Sequence, residues 1–189
     1  MKKILFLLAL LLALFPLSAS AIESNPFSVL AGDVLQITVW KEDGLDREAL
    51  VLPNGDITFP LIGTLKVQGL TPAEIQYLVK KSLEKFIPDA FVTVQVKAAL
   101  GHTVSVLGQV AKPGEIILSH RMTALQALSQ AGGLTPYADE SEIIVIRHGK
   151  NKDSSLPVSY DKLSSGNNLS GDVVLEPGDV LVVPTETLF

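Results

Sequence analysis

The sequence predicts an α+β chain: two small β-rich domains in series, each with one capped helix, the second β-grasp-like. Three observations predict it. Thr71-Pro72-Ala73-Glu74 and Thr123-Ala124-Leu125-Gln126 are capping boxes, each opening a helical pattern. Short runs of alternating apolar and polar residues flank both patterns. Turns rich in proline and glycine separate the runs, and Gly132-Gly133 supplies a left-handed ending for the second helix.

Residues 1–21 read as a secretory signal. Lys2-Lys3 precede an apolar run from Ile4 to Leu17, broken by Pro16, and Ala19-Ser20-Ala21 is a small-x-small site with cleavage between Ala21 and Ile22. The run is shorter than the ~20 apolar residues a spanning helix needs. The signal holds two of the 15 basic residues and none of the 20 acidic ones, so residues 22–189 carry a net charge of about −7. Such a surface repels phosphate backbones, so no nucleic-acid partner is expected. The chain has no cysteine. That removes a disulfide framework and, with Ile22 at the cleavage point, any lipid attachment there.

The first domain is read as residues 22–99. Ala31-Gly32-Asp33 turns into a strand, Val34 to Trp40, with Leu35, Ile37 and Val39 on one face. Trp40, the only tryptophan, reads as a core or interface anchor rather than a sugar platform. Lys41 to Glu48 is a charged loop. Ala49–Leu52 and Ile57–Phe59 flank Pro53-Asn54-Gly55-Asp56, a strong hairpin signal. Pro60-Leu61-Ile62-Gly63 turns into Thr64–Val67, and Gly69-Leu70 leads to the first helix. Its stripe is Ile75, Leu78, Val79, Leu83 and Phe86. Lys80, Lys81 and Lys85 sit where the macrodipole favours cations, and Pro88 stops the helix. Ala90–Lys97 is a strand with Val92, Val94 and Val96 inward.

The second domain is read as residues 100–189. Thr103–Val110 alternates as a half-buried strand, and Gly108 within it marks a bulge or a close backbone approach. Lys112-Pro113-Gly114-Glu115 is a turn with proline at the first central position and glycine at the second. Glu115–Leu118 returns. The short helix that follows carries Leu125, Leu128 and Ala131, and Glu142–Arg147 is a further strand. Leu156–Tyr160 reads as a strand, Asp161–Ser170 as a loop, and Val173–Leu175 and Val180–Val183 as C-terminal strands. Gly178-Asp179-Val180-Leu181 repeats Gly32-Asp33-Val34-Leu35. This is recurrent turn chemistry, and it leaves open a sheet shared by the two chain ends.

A search for reactive groups finds none. His102, His120 and His148 stand far apart, without metal-ligand spacing. No nucleophile elbow, dinucleotide fingerprint or phosphate-binding loop is present. Asp33, Asp56 and Asp179 all follow glycine in turns, which gives them local work in place of a glycosidase pair. No enzyme activity, cofactor or metal is expected. Short strands and two helices exclude a spanning barrel.

The joint patterns are more specific than their parts. Gly32-Asp33-x-Leu-x-Ile-x-Val, Pro53-x-Gly55-Asp56-Ile57, Phe59-Pro60-Leu61-Ile62-Gly63 and Val67-x-Gly69-Leu70-Thr71 together resemble the N-terminal domain of bacterial polysaccharide export proteins. Val106-x-Gly108-x-Val110-x-x-Pro113-Gly114, then Thr123-x-Leu125-x-Ala127-Leu128-x-x-Ala131-Gly132-Gly133-Leu134-Thr135 and a strand ending in Arg147, resemble the soluble-ligand-binding β-grasp (SLBB) domain of the same family. Gly32, Asp33, Gly55, Asp56, Pro60, Gly69, Gly108, Pro113, Gly114, Gly132, Gly133, Arg147, Gly178 and Asp179 are thus the expected fold and assembly motif. The resemblance implies a periplasmic component of a capsular or exopolysaccharide export conduit across the outer membrane. It implies these partners: the polysaccharide chain, identical copies in a ring, an inner-membrane co-polymerase and a separate outer-membrane pore protein. The expected form lacks the lipid-bearing cysteine and the C-terminal membrane helix of better-known members. The competing expectation is a free periplasmic β-grasp module for a small ligand.

Overall fold

In the computed structural model, which describes residues 26–149, 152–167 and 171–186, the chain builds two separate apolar cores in sequence order. The signal and its Ala21–Ile22 cleavage site lie outside the described residues. Mixed sheets and short helices give an α+β fold of two small domains.

The first core is enclosed by a three-stranded antiparallel sheet, a two-stranded hairpin and one helix. Strand β1 (Val34–Val39) is central, between β2 (Arg47–Leu50) and β5 (Val92–Ala98). Its strict alternation turns Leu35, Ile37 and Val39 inward. Val34 pairs with Ala98 and Leu35 with Val96, so a bulge forms at Lys97. Strands β3 (Asp56–Phe59) and β4 (Gly63–Lys66) form the hairpin. Helix α1 (Pro72–Leu83) starts at the expected capping box. Thr71 accepts the Glu74 N–H, and the Glu74 carboxylate accepts the Thr71 N–H at 2.7 Å. Ile75, Val79 and Leu83 are fully buried, each contributing about 1.5–3 kcal/mol.

The second core lies under one five-stranded sheet, ordered β7 (Gly114–Ile117), β6 (Thr103–Gly108), β10 (Val180–Val183), β8 (Ile143–Arg147), β9 (Ser154–Val158). Strands β6 and β10 run parallel and the other pairs antiparallel. Helix α2 (Ala124–Gln130) buries Ala124, Ala127 and Leu128 beneath it. Gly132 and Gly133, both near φ +85, close that helix by donating to Ser129 and Leu128 carbonyls. At Gly108, φ is +92, and a Cβ would stand 1.9 Å from the Val183 carbonyl oxygen. The glycine therefore lets β6 and β10 meet.

Several expectations need correction. The Asn54-Gly55 turn does not close a hairpin between its flanking strands. Strand β2 pairs with β1, as the outermost strand of its sheet, and β3 pairs forward with β4. Helix α1 ends at Leu83, whose carbonyl accepts both the Phe86 and Ile87 N–H groups at 2.8 Å. This tightened turn packs Ile87 on the core and leaves Phe86 exposed. The stretch read as a loop from Asp161 contains a short helix, α3 (Tyr160–Ser164), which buries Leu163. The two Gly-Asp strands, β1 and β10, lie in different sheets, so the chain ends share none. Gly114, at φ +153, opens β7 itself.

Two measurements check these local accounts. Gly108→Ala is expected to cost about 3 kcal/mol or more in urea unfolding, through a clash on top of backbone strain. Gly133→Ala, with open space around it, costs only about 1–2 kcal/mol. The Thr71 backbone N–H, then its hydroxyl, hold the Glu74 carboxyl below the usual glutamate value. That cap contributes fully above the ordinary value and is lost as pH falls through the lowered one. Carboxyl NMR titration places Glu74 low in the native chain and returns it toward the ordinary range in Thr71→Ala.

Candidate functional site

The two Gly-Asp turns build the same local device in the two domains. Asp33 has no solvent exposure and Asp179 has 1 %. Each carboxylate accepts the backbone N–H three residues earlier: Leu30 to Asp33 Oδ2 at 2.9 Å, Glu176 to Asp179 Oδ2 at 2.8 Å. Gly32 and Gly178 take φ of +95 and +89, which folds the turn back far enough for that bond. A buried carboxylate must fill its remaining lone pairs or raise the free energy of the fold by several kcal/mol.

The two aspartates do so differently. Asp179 receives Arg147 as a fork, Nε to Oδ1 at 2.9 Å and Nη2 to Oδ2 at 2.7 Å. The guanidinium also donates to Glu176 Oε1 at 2.7 Å and to the Val174 carbonyl at 2.8 Å. The hydrogen bond with Asp179 holds the Arg147 pKa above its ordinary value. Asp33 instead reaches across to the segment between the domains. Its Oδ1 accepts the Gly101 N–H at 2.8 Å. His102 Nε2 lies 3.2 Å from Oδ2, at ion-pair distance but out of line for a hydrogen bond. The His102 ring stacks on Phe27, with centroids 4.6 Å apart. Gly101 is forced: a Cβ there would stand 2.3 Å from the Ala31 carbonyl oxygen. The His102 carbonyl accepts the Leu118 N–H at 2.7 Å, which ties the same segment to the second domain.

This geometry is a clamp, with its carboxylates engaged by structural partners. Asp56 pairs with Lys66 at 3.7 Å and accepts the Asn54 amide. The three aspartates stand in separate places, and no group of three or more metal-ligating side chains converges among the described residues. No described helix is long and apolar enough to cross a membrane.

Comparison with known proteins follows the same two-part division. Residues 23–97 match the family described as polysaccharide biosynthesis/export protein, and residues 102–183 match the SLBB domain. The chain belongs to the polysaccharide biosynthesis/export family. It is 30% identical over 191 residues to the EPS I polysaccharide export outer membrane protein EpsA of Ralstonia nicotianae, covering 85% of this chain and 48% of that protein. It is 29% identical over 168 residues to the polysialic acid transport protein KpsD of Escherichia coli, covering 88% of this chain and 30% of that one. The chain thus spans about half, or less, of the length of these relatives. The family and these relatives are export and transport proteins, not enzymes.

Within this chain, every glycine singled out from the sequence takes positive φ. The motif is therefore a record of backbone geometry. It is brought together only in part. Gly178, Asp179 and Arg147 meet at one end of the second sheet, and Gly108 meets β10. Gly32 and Asp33 meet Gly101 and His102, which the sequence reading did not connect. Gly55 lies in the turn before β3, Asp56 opens β3, Pro60 lies in the β3–β4 turn, Gly69 before α1, and Pro113 before β7. Asp172 was missed as well: it caps α2 by accepting the Leu125 N–H at 3.1 Å. Sequence offers no signal for it, because the partners lie 47 residues apart.

The core reading of Trp40 is corrected. Alternation along β1 turns Val39 inward and Trp40 outward, leaving it 68% exposed. The exposed Phe91 adjoins it, its carbonyl accepting the Trp40 N–H at 2.9 Å.

Removing the Arg147 fork strands a buried carboxylate, so Arg147→Ala is expected to destabilise the second domain by about 3–5 kcal/mol. Arg147→Lys recovers only part of this, since an ammonium cannot reproduce the bidentate contact. Urea unfolding followed by second-domain amide NMR signals measures both.

Proposed function

We infer that this chain is a periplasmic component of a capsular or exopolysaccharide export conduit across the outer membrane, and that copies of it form a ring around the passing polymer. The observation that carries this reading is the pair of family matches, in order, on one chain whose relatives are named for polysaccharide export and polysialic acid transport. The division at residues 99 and 100, and the fold and assembly role of the Gly-Asp and Pro-Gly motif, are part of the same proposal.

The open face of the second sheet supports assembly of copies. Leu107, Val182, Ile144 and Pro157 form one row across β6, β10, β8 and β9, and Val180 and Ile146 continue it. These apolar side chains point away from α2, half-exposed or exposed. Soluble monomers rarely leave so continuous an apolar row uncovered. The role is passive, without bond chemistry: a polar, largely acidic lumen lets a hydrated sugar chain slide. The ring works with an inner-membrane co-polymerase and a separate outer-membrane pore protein, and it lies in the periplasm against the outer membrane.

Deleting the gene is expected to abolish surface polysaccharide, and a restored copy to return it. Unchanged surface polymer in the deletion strain, with no second homologue in the genome, overturns the conduit reading.

A further inference from the structure

The first domain carries two unlike surfaces with no shared residue. One is a groove of about 560 Å³ between α1 and the β3–β4 turn. Its apolar walls include Leu61 and Phe86, 54% and 55% exposed, and Lys81 and Lys85 stand on it. The other is a projecting aromatic pair, Trp40 and Phe91, each 68% exposed. A shallow pocket beside Trp40 is lined by Glu42, Asp43 and Asp46, with Lys41 the one cation. Asp46 is held in place, accepting Thr38 Oγ1 at 3.0 Å and the Gln36 amide. Among the described residues, Lys81, Lys85, Glu42 and Asp43 form no ion pair.

Backbone strain marks the same two places. Among the described residues, the non-glycine ones with positive φ are Lys41, Leu61 and Asp89, at +64, +68 and +57. Lys41 follows Trp40, and Asp89 lies in the loop that delivers Phe91. At Leu61 the Ile62 N–H returns to the Pro60 carbonyl at 2.8 Å, a γ-turn of the rare positive-φ kind. A non-glycine residue in this region costs of order 1–3 kcal/mol, and such strain persists mainly where a surface is held for use.

We propose that the groove formed by Leu61, Phe86, Lys81 and Lys85 receives the Trp40–Phe91 projection, with Glu42 and Asp43, of a second copy of this chain. The occupant follows from complementarity within one sequence. An apolar groove bearing two unpaired cations matches an aromatic projection bearing two unpaired carboxylates. Aromatic anchors in apolar pockets are where binding energy concentrates, and opposite charges around them fix register. The contact is heterologous, one surface against a different one, so each copy offers a free groove and a free projection to the next. A closing rotation yields a ring, which deepens the conduit reading and rests on it.

The chain tests this directly, because it contains no native cysteine. Glu42→Cys and Lys85→Cys are prepared separately and oxidised alone or mixed. A cross-linked dimer that forms chiefly in the mixture supports the contact. In parallel, Lys81→Glu with Lys85→Glu is expected to weaken self-association by about tenfold or more. Adding Glu42→Lys and Asp43→Lys to the same chain restores it. Trp40 emission shifts to longer wavelength as oligomers dissociate. Mass photometry separates the failures. Oligomers without the mixed cross-link or the charge rescue overturn this interface and leave the ring standing. A folded monomer at high micromolar concentration overturns both.

Discussion

The carboxylate of Asp33 sits away from solvent, between the turn that starts β1 and the segment that leaves β5. Buried, it is tolerable only because the Leu30 and Gly101 N–H groups and the His102 ring surround it. The remainder of the first domain hangs on that placement, since β1 is the central strand and pairs on both sides. Asp179 plays the same part for β10, which is central in the second sheet and joins the parallel β6 to the antiparallel β8. One four-residue sequence thus anchors two different central strands. Its outcome diverges through the partner supplied from elsewhere, a backbone amide with an imidazole in one case and a guanidinium in the other.

Around these anchors the chain separates internal from external work. The glycines and prolines that make the family motif recognisable serve turns, a helix ending and one close strand approach. The surfaces proposed for contact between copies draw on further residues: the outward row of the second sheet, and the groove and aromatic pair of the first domain. A pattern that identifies the family therefore says little about contacts made by this member. Those contacts reside in side chains such as Trp40, Phe86 and Leu61, whose exposure depends on where a strand or helix ends.

Most of the elements were legible because their signals are local. A capping box specifies hydrogen bonds within three residues, and both formed as read. Alternation fixed the inward faces of β1 and β6. Gly108 announced a close approach, though only the structure identifies Val183 as the neighbour. What could not be read was mostly pairing. The Asn54-Gly55 turn is a correct turn between strands that choose other partners, β1 for β2 and β4 for β3, and a local turn signal does not specify them. Phe86 fits the helical period of α1, yet a bond pattern around the Leu83 carbonyl ends the helix one turn earlier. The burial of Asp33 and Asp179 was invisible for the same reason. Gly-Asp announces a turn, whereas Gly101 and Arg147 arrive from distant points in the chain.

Only residues 99–102 separate β5 from β6, and that short stretch is held from both sides. Asp33 grips the Gly101 amide, while the His102 carbonyl is taken by Leu118. The joint therefore behaves as a bracket, not as a tether. Tilting one domain against the other strains the bond to a fully buried carboxylate on one side and the backbone bond to Leu118 on the other. In an assembly of such subunits, the domains could not adjust their diameters independently. The opening set by one tier would be imposed mechanically on the next.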